Sequence, residues 1–257
     1  MKKPVLIVLV VLFLTSTVSA DLFDGLVLYY SFDGNANDAS GNGCNGTVHG
    51  AALTMDRFGN ADSAYYFDGI DDYIDIGSSL GGYSSFSEFA WVRTVSLKPR
   101  NNFIQSSNWY VDDPYGNDGG FDLAITNGYI KSWINEPDRA ADSELAGPYV
   151  VLDTWHLIGT TWDGSTHKLY FDGQEVSSNS YTGYIGTSAQ TSLVGTKHYG
   201  AGFNGFLNAD IDDLRIYDRA LSSSEVRELY LVPIPSAILL GALGLSVAGW
   251  KLRRRKL

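Results

Sequence analysis

Carboxylates are the residues of this chain best placed to do chemistry, and they come in clusters. FDGIDDYIDIG, Phe67 to Gly77, sets four aspartates in eleven residues, and NADIDDLRIYD, Asn208 to Asp218, sets four more. Aspartates so spaced can bind a hard cation, hold turns by accepting backbone N–H bonds, or act in pairs as acid and base. Upstream, DGNANDAS offers Asp33, Asn35, Asn37 and Asp38, alternating oxygens of the kind calcium prefers. An EF-hand is excluded, because the sixth loop position counted from Asp33 is Asp38 where Gly is needed, and the twelfth is Cys44 where Glu is needed. Gly41, Gly43 and Gly46 have the spacing of a dinucleotide-binding loop. That motif needs a βαβ setting, and here it leads into the strand-like Thr47-Val48. No Gly-x-Ser-x-Gly or His-Glu-x-x-His motif is present, and His49, His156, His167 and His198 are scattered singly.

The elements that must position these residues read as β throughout. Leu169 and Phe171 of HKLYFDG share one face, as do Leu214 and Ile216 of DLRIYD. By the same phase Asp212 is expected to point inward with Leu214, where a lone carboxylate would cost several kcal/mol unless ligated or hydrogen-bonded. Asp68-Gly69, Asn127-Gly128, Asp163-Gly164 and Asp172-Gly173 are dipeptides that accept the positive φ of tight turns. Many short strands with such turns predict an all-β sandwich or barrel. One short helix is expected near the C-terminus, packed on an end of the sandwich. Its signal is Ser222 and Glu225 at capping-box spacing ahead of Val226, Leu229 and Tyr230. Lys98 to Gly120 and Asn135 to Pro148 lack alternation and read as long loops where specificity could reside.

Both ends read as export signals. Residues 1–20 place Lys2 and Lys3 before an apolar run ending Val18-Ser19-Ala20, the layout of a cleaved secretory signal with Asp21 as mature start. At the other end, Pro233-Ile234-Pro235 precedes an apolar segment, Ala237 to Trp250, and a basic tail, Lys251 to Lys256. That segment is shorter than the roughly 20 residues that span a bilayer comfortably. Between the signals the chain carries 11 Lys and Arg against 29 Asp and Glu, a net −18, which argues against nucleic acid or anionic membrane as partners. The single Cys44 rules out an intrachain disulfide and is expected as a small buried residue.

LVLYYSFDGNANDASGNGCNG, DTWHLIGTTWDGSTHKLYFDGQEV and FNGFLNADIDDLRIYDRALSSSEV together resemble a LamG-like domain of the concanavalin A-like lectin/glucanase superfamily. The resemblance spans most of residues 21–231. It implies a jelly-roll sandwich of two antiparallel sheets, one of them curved, whose first and last strands lie together; the two export segments read from the sequence are expected as hydrophobic signal helices at its termini. It also implies a calcium ion tying the N-terminal strand region to Asp212, with Asp33, Asp38 and Asp68 as further ligands. Asp71 and Asp72 are read as turn residues, and carboxylates that only cap turns remain the alternative for the whole set. Glycosidases of this superfold share a Glu-x-Asp-x-(x)-Glu strand motif that is absent here, so no catalytic residue is expected. Trp91, Trp155 and Trp162 match core positions, whereas Trp109, Tyr110, Tyr115 and Trp133 are the expected sugar-stacking rings. Residues 232–257 resemble a PEP-CTERM sorting signal of Gram-negative bacteria, with Pro233-Ile234-Pro235 in place of Pro-Glu-Pro. This implies an exosortase-type partner, a membrane segment held at least transiently, and delivery to the cell surface or extracellular matrix. The expected function is a non-catalytic carbohydrate-binding or adhesion module whose expected partner is an extracellular polysaccharide or glycan; the rival class is a structural matrix or envelope protein making protein contacts only.

Overall fold

The structure, a computed structural model, describes residues 22–105, 120–135, 143–186, 190–199 and 202–231. Among them the strands are β1 (Leu26–Tyr30), β2 (Thr47–His49), β3 (Ala52–Thr54), β4 (Ala64–Asp68), β5 (Tyr73–Asp75), β6 (Phe86–Thr94), β7 (Arg100–Gln105), β8 (Gly120–Thr126) and β9 (Tyr129–Asn135). They continue with β10 (Ser143–Tyr149), β11 (Trp155–Trp162), β12 (Thr166–Phe171), β13 (Gln174–Ser180), β14 (Leu193–Val194), β15 (Lys197–Tyr199), β16 (Gly202–Asn204) and β17 (Asn208–Tyr217), followed by helix α1 (Ser223–Leu231). The first sheet runs β13-β12-β11-β6-β17-β4-β3 with β1 also on β17, the second runs β10-β9-β8-β7-β14-β5-β2, and β15 with β16 forms a separate ribbon. All pairings are antiparallel, and the first strand lies on the last, Leu28 opposite Ile216 and Tyr30 opposite Leu214.

Period-two alternation builds the core. Phe86, Ala90 and Val92 of β6 face Phe121, Leu123 and Ile125 of β8 between the sheets, and Phe86 stacks on Phe121 with ring centroids 4.5 Å apart. Each of the Phe, Val, Leu and Ile side chains contributes roughly 1.5–3 kcal/mol by burial. The alternate residues of β6, Phe89 and Trp91, point the other way into a second apolar layer with Tyr29, Tyr170 and Tyr217. Helix α1 covers that layer. Its capping box forms as expected, Ser222 N donating to Glu225 Oε2 at 2.7 Å and Glu225 N to Ser222 Oγ at 3.3 Å. Its position differs from expectation: Val226 and Leu229 pack on the outer face of the first sheet and Tyr230 stacks on Trp91 at 5.6 Å, so the helix seals a face and not an end.

Two of the four turn dipeptides behave as read, and at Asp68-Gly69 and Asp163-Gly164 only the glycine is left-handed (φ 77° and 90°). Asn127 and Gly128 (φ 51° and 86°) and Asp172 and Gly173 (φ 49° and 77°) are both left-handed, the requirement of the type I′ hairpin. The two stretches expected to be loops instead contain β7 and most of β10. Each of these strands carries a register shift, between Asn102 and Ile104 and between Ala146 and Tyr149, which breaks the alternation. No helix among the described residues is long and apolar enough to cross a membrane. Segments 1–20 and 232–257, expected as signal helices, lie outside the described residues.

Candidate functional site

Strand periodicity puts the richest polar and aromatic grouping on the outer face of the second sheet. On β9, Ile130 and Ile134 enter the core and Ser132 Oγ donates inward to Thr160 Oγ1 of the first sheet at 3.1 Å. Tyr129, Lys131 and Trp133 therefore turn outward. Register then aligns Gln105, Asp122, Trp133 and Glu144 as one row across β7 to β10, with Asn102, Ala124, Lys131 and Ala146 as the next. Arg100 reaches into the first row. Its guanidinium lies 4.5 Å from the Trp133 ring centroid, donates to Asp122 Oδ2, and through Nε donates to Asn102 Oδ1 at 2.7 Å. Lys131 Nζ lies 5.7 Å from the same ring and pairs with Glu144.

The electrostatics of this face follow from burial. Asp122 is fully buried, and its Oδ1 has no hydrogen-bond partner among the described residues. Burial pushes its carboxyl up, against the pull of Arg100 and Lys197. Burial pushes the Lys197 ammonium down, and the like charge of Arg100 adds to that. The hydrogen bond from Lys131 holds the more exposed Glu144 below the usual carboxylate range. Carboxylate, amide, guanidinium and ammonium groups gathered on one face supply the acceptors and donors that a hydroxyl-rich ligand requires.

Of the rings expected to stack on sugar, Trp109, Tyr110 and Tyr115 lie outside the described residues. Trp133 is on the outer face, but Arg100 covers it and only 7% of it is exposed. The open rings there are Tyr129 and Tyr149, which the sequence reading missed although Asn127-Gly128 marks the turn that presents Tyr129. Trp162 and Trp91 are core residues, as expected, and Trp155 packs partly buried beside Trp91.

The aspartates divide. Asp33 is exposed. Asp38 is a turn cap: Oδ1 accepts from Tyr29 N at 3.1 Å and Ser40 N at 2.9 Å, and Oδ2 from Cys44 N at 3.1 Å. Burial would raise its carboxyl, but the bonds from Ser40, Tyr29 and Cys44 outweigh this and hold it below the usual range. Asp212 does not share a face with Leu214. Asp213 is left-handed (φ 51°) and the pairing of β17 with β6 shifts between Asp212 and Arg215. Ile211 and Leu214 both enter the core across this bulge, so Asp212 and Asp213 both turn outward, where Arg57 bonds them. Among the described residues, the one group bringing three possible metal-ligand atoms within 4.8 Å of one another is Asp68, Asp71 and Asp72. Asp68 Oδ1 accepts from Ile70 N at 2.7 Å and Asp72 Oδ2 from Asp68 N at 2.9 Å, which leaves oxygens of all three carboxylates available. Cys44 is free and half-buried, its Sγ 3.7 Å from Ser78 Oγ.

The single histidines are structural where they are buried. His167 bridges the two sheets, its Nε2 2.8 Å from Thr160 Oγ1 and 2.9 Å from Ser132 Oγ, and its Nδ1 2.6 Å from Ser143 Oγ. Burial pushes its pKa down to about 3, so the ring is neutral. Glu88, opposite Thr160 in the register, also points between the sheets, and neither of its carboxyl oxygens has a hydrogen-bond partner among the described residues.

Residues 67–227, more than half of the chain, match the family described as the concanavalin A-like lectin/glucanases superfamily. The chain belongs to that superfamily. The two facing sheets and the pairing of first and last strands agree with the sequence resemblance to its LamG-like members. No curated protein matches this superfamily member by sequence. Solved structures similar to it include the ligand binding domain of Botulinum neurotoxin serotype D in complex with N-acetylneuraminic acid (18% identity, TM-score 0.62, covering 81% of this chain and 51% of that one). Another is domain 4 of AbnA, a GH43 extracellular arabinanase from Geobacillus stearothermophilus, in complex with arabinotriose (23% identity, TM-score 0.61, 80% of this chain and 98% of that one). The binding domain of Paraclostridial Mosquitocidal Protein 1 is a third (18% identity, TM-score 0.62, 81% and 52%). The chain spans about half the length of the two toxin chains. At these identities the likeness is one of fold.

Proposed function

We propose that this superfamily member is a secreted, non-catalytic carbohydrate-binding module delivered to the bacterial surface or its extracellular matrix. The observation that carries the reading is the outer face of the second sheet, where Arg100, Lys131, Glu144, Tyr129 and Tyr149 lie over a buried layer of Trp133, Asp122 and Asn102. The sugar complexes of two proteins with the same fold, one with N-acetylneuraminic acid and one with arabinotriose, support it. Glycoside hydrolysis needs two carboxyls across one cleft, roughly 5–9.5 Å apart. Of the two fully buried carboxyls, Glu88 on β6 of the first sheet points between the sheets and Asp122 to the outer face of the second, so these two do not face one cleft. Retention of the full-length protein on immobilised extracellular polysaccharides, with elution by the soluble polymer and no release of reducing ends, is the expected result. Reducing-end release would make it a hydrolase. Failure to be retained on any of them would favour the structural-protein reading.

Calcium belongs to the proposal at Asp68, Asp71 and Asp72, which fit the ion as a cluster of hard oxygens better than Asp38 and Asp212, whose carboxylates are already bonded. There it would neutralise three close carboxylates and join the end of β4 to the start of β5. Millimolar calcium is expected to raise the unfolding temperature by about 5 °C, an effect lost in Asp71→Asn. An unchanged melting curve would remove calcium from the account. Export with cleavage before Asp21, and exosortase-type processing near Pro233-Ile234-Pro235, predict the mature termini. Intact-mass analysis of protein recovered from the producing cells decides both.

A further inference from the structure

We propose that Tyr129 and Tyr149 form an aromatic subsite beside the Lys131–Glu144 pair and the Arg100 guanidinium on the same face, so that the module grips an internal stretch of a glycan chain and not a single terminal sugar. This inference rests on the carbohydrate-binding reading. Three local devices converge on the pair. The type I′ turn at Asn127-Gly128 starts β9 with Tyr129 facing outward, in phase with Lys131 and Trp133. On β10, Glu144 and Ala146 face outward, so strict alternation would send Tyr149 into the core with Leu145. The register shift between Ala146 and Tyr149 reverses this and sets Tyr149 directly opposite Tyr129. Gly128 then makes room for the ring: a Cβ there would lie 2.3 Å from Tyr149 Cε2, in a backbone conformation (φ +86°) that side chains rarely adopt.

The outcome is a T-shaped pair with ring centroids 5.2 Å apart, 49% and 51% exposed, whose hydroxyls have no hydrogen-bond partner among the described residues. Two half-exposed aromatic rings fixed by a bulge and a turn form a preorganised surface, apolar on the ring faces and polar at the tips. Tyr129 is four residues from Trp133 along one strand, about 14 Å at the usual strand rise, which is farther than one sugar ring reaches. Between them lie the Lys131–Glu144 pair, able to hydrogen-bond hydroxyls, and the small Ala124 and Ala146. A chain laid along β9 would meet the tyrosine rings, then the Lys131–Glu144 pair, then the Arg100 guanidinium that covers Trp133.

The test uses oligosaccharides of two to eight units, prepared by partial hydrolysis of whichever polysaccharide retains the full-length protein and titrated against it by calorimetry. Wild-type affinity is expected to rise with chain length, and Tyr129→Ala with Tyr149→Ala to flatten that rise, at a loss of about tenfold per ring for the longest chains. Affinity for the disaccharide should stay unchanged. Tyr129→Phe and Tyr149→Phe, which keep the rings, should retain the length dependence. If the alanine variants bind every length as the wild type does, the pair serves another occupant, such as a protein surface, and the inference fails while the binding function stands. If the wild type is retained by no polysaccharide, the function itself fails and this inference with it.

Discussion

Replacing Arg57 by methionine is expected to remove about 3–5 kcal/mol of folding stability at neutral pH. Arg57 comes from the connection between β3 and β4 and lies between the rings of Phe58 and Trp91, 4.4 and 4.8 Å from their centroids. It donates to Asp212 and, at 2.5 Å, to Asp213 Oδ2; Arg215 donates to Asp213 Oδ1 at 3.0 Å, and the Tyr29 hydroxyl to the same atom at 2.6 Å. The four charged side chains are only 5–7% exposed, and their charges cancel. Removing one cation leaves a buried carboxylate unmatched, which costs far more than a surface pair is worth. Burial, followed by the neighbouring Asp213 carboxylate, pushes Asp212 up, and Arg57 opposes this. Without Arg57, Asp212 rises further. A raised folded-state value means that stability is fullest below the unfolded carboxylate value of about 3.9 and is lost as pH climbs toward the folded one. The deficit should therefore shrink on acidification. Denaturant unfolding at pH 5 and pH 9, on either side of the folded Asp212 value of about 8, measures it, and a loss below about 1 kcal/mol, equal at both, would show the cluster to be no more than a surface pair.

Replacing Glu88 by leucine has the opposite sign: a gain of about 1–3 kcal/mol at pH 7. Glu88 is fully buried between the sheets, its carboxyl oxygens lack partners among the described residues, and Leu is close to it in size. Burial, with the Asp122 carboxylate adding to it, pushes Glu88 well above the usual range, so the folded protein holds a proton there. The unfolded chain releases that proton above about pH 4.3, and the wild type then loses up to about 1.4 kcal/mol of stability per pH unit until Glu88 ionises in the fold. The leucine variant should lack this slope, and Glu88→Gln should lack it too while keeping the shape. Parallel stability–pH curves for the three proteins would contradict the assignment.

What was legible in the sequence was local. The Asn-Gly and Asp-Gly turns depend on two residues each, the capping box on Ser222 and Glu225, and the strand faces of Leu169 and Leu214 on near neighbours. What failed depended on bulges or on distant partners. The phase of Asp212 was read through Leu214 as if β17 were regular, and the left-handed Asp213 reverses it. Arg57 reaches Asp212 across 155 positions of chain, and no spacing rule connects them. Strands β7 and β10 were hidden by the same kind of irregularity, and with β10 went Tyr149. The functional face is legible only once register is known, because Gln105, Asp122, Trp133 and Glu144 come from four strands whose order in sequence carries no sign of their alignment.

Lysine footprinting tests the central claim, that the outer face of the second sheet is where glycan binds. Lys131 on that face and Lys168 on β12 of the first sheet form a matched pair: each is salt-bridged to a glutamate, and their side chains are 27% and 32% exposed. The full-length protein, saturated with the polysaccharide that retains it, is acetylated briefly and read by peptide mass spectrometry against the free protein. The account predicts protection of Lys131 with Lys168 as reactive as before. Equal reactivity of Lys131 with and without polysaccharide, or protection of Lys168 alone, would place the glycan elsewhere and contradict it.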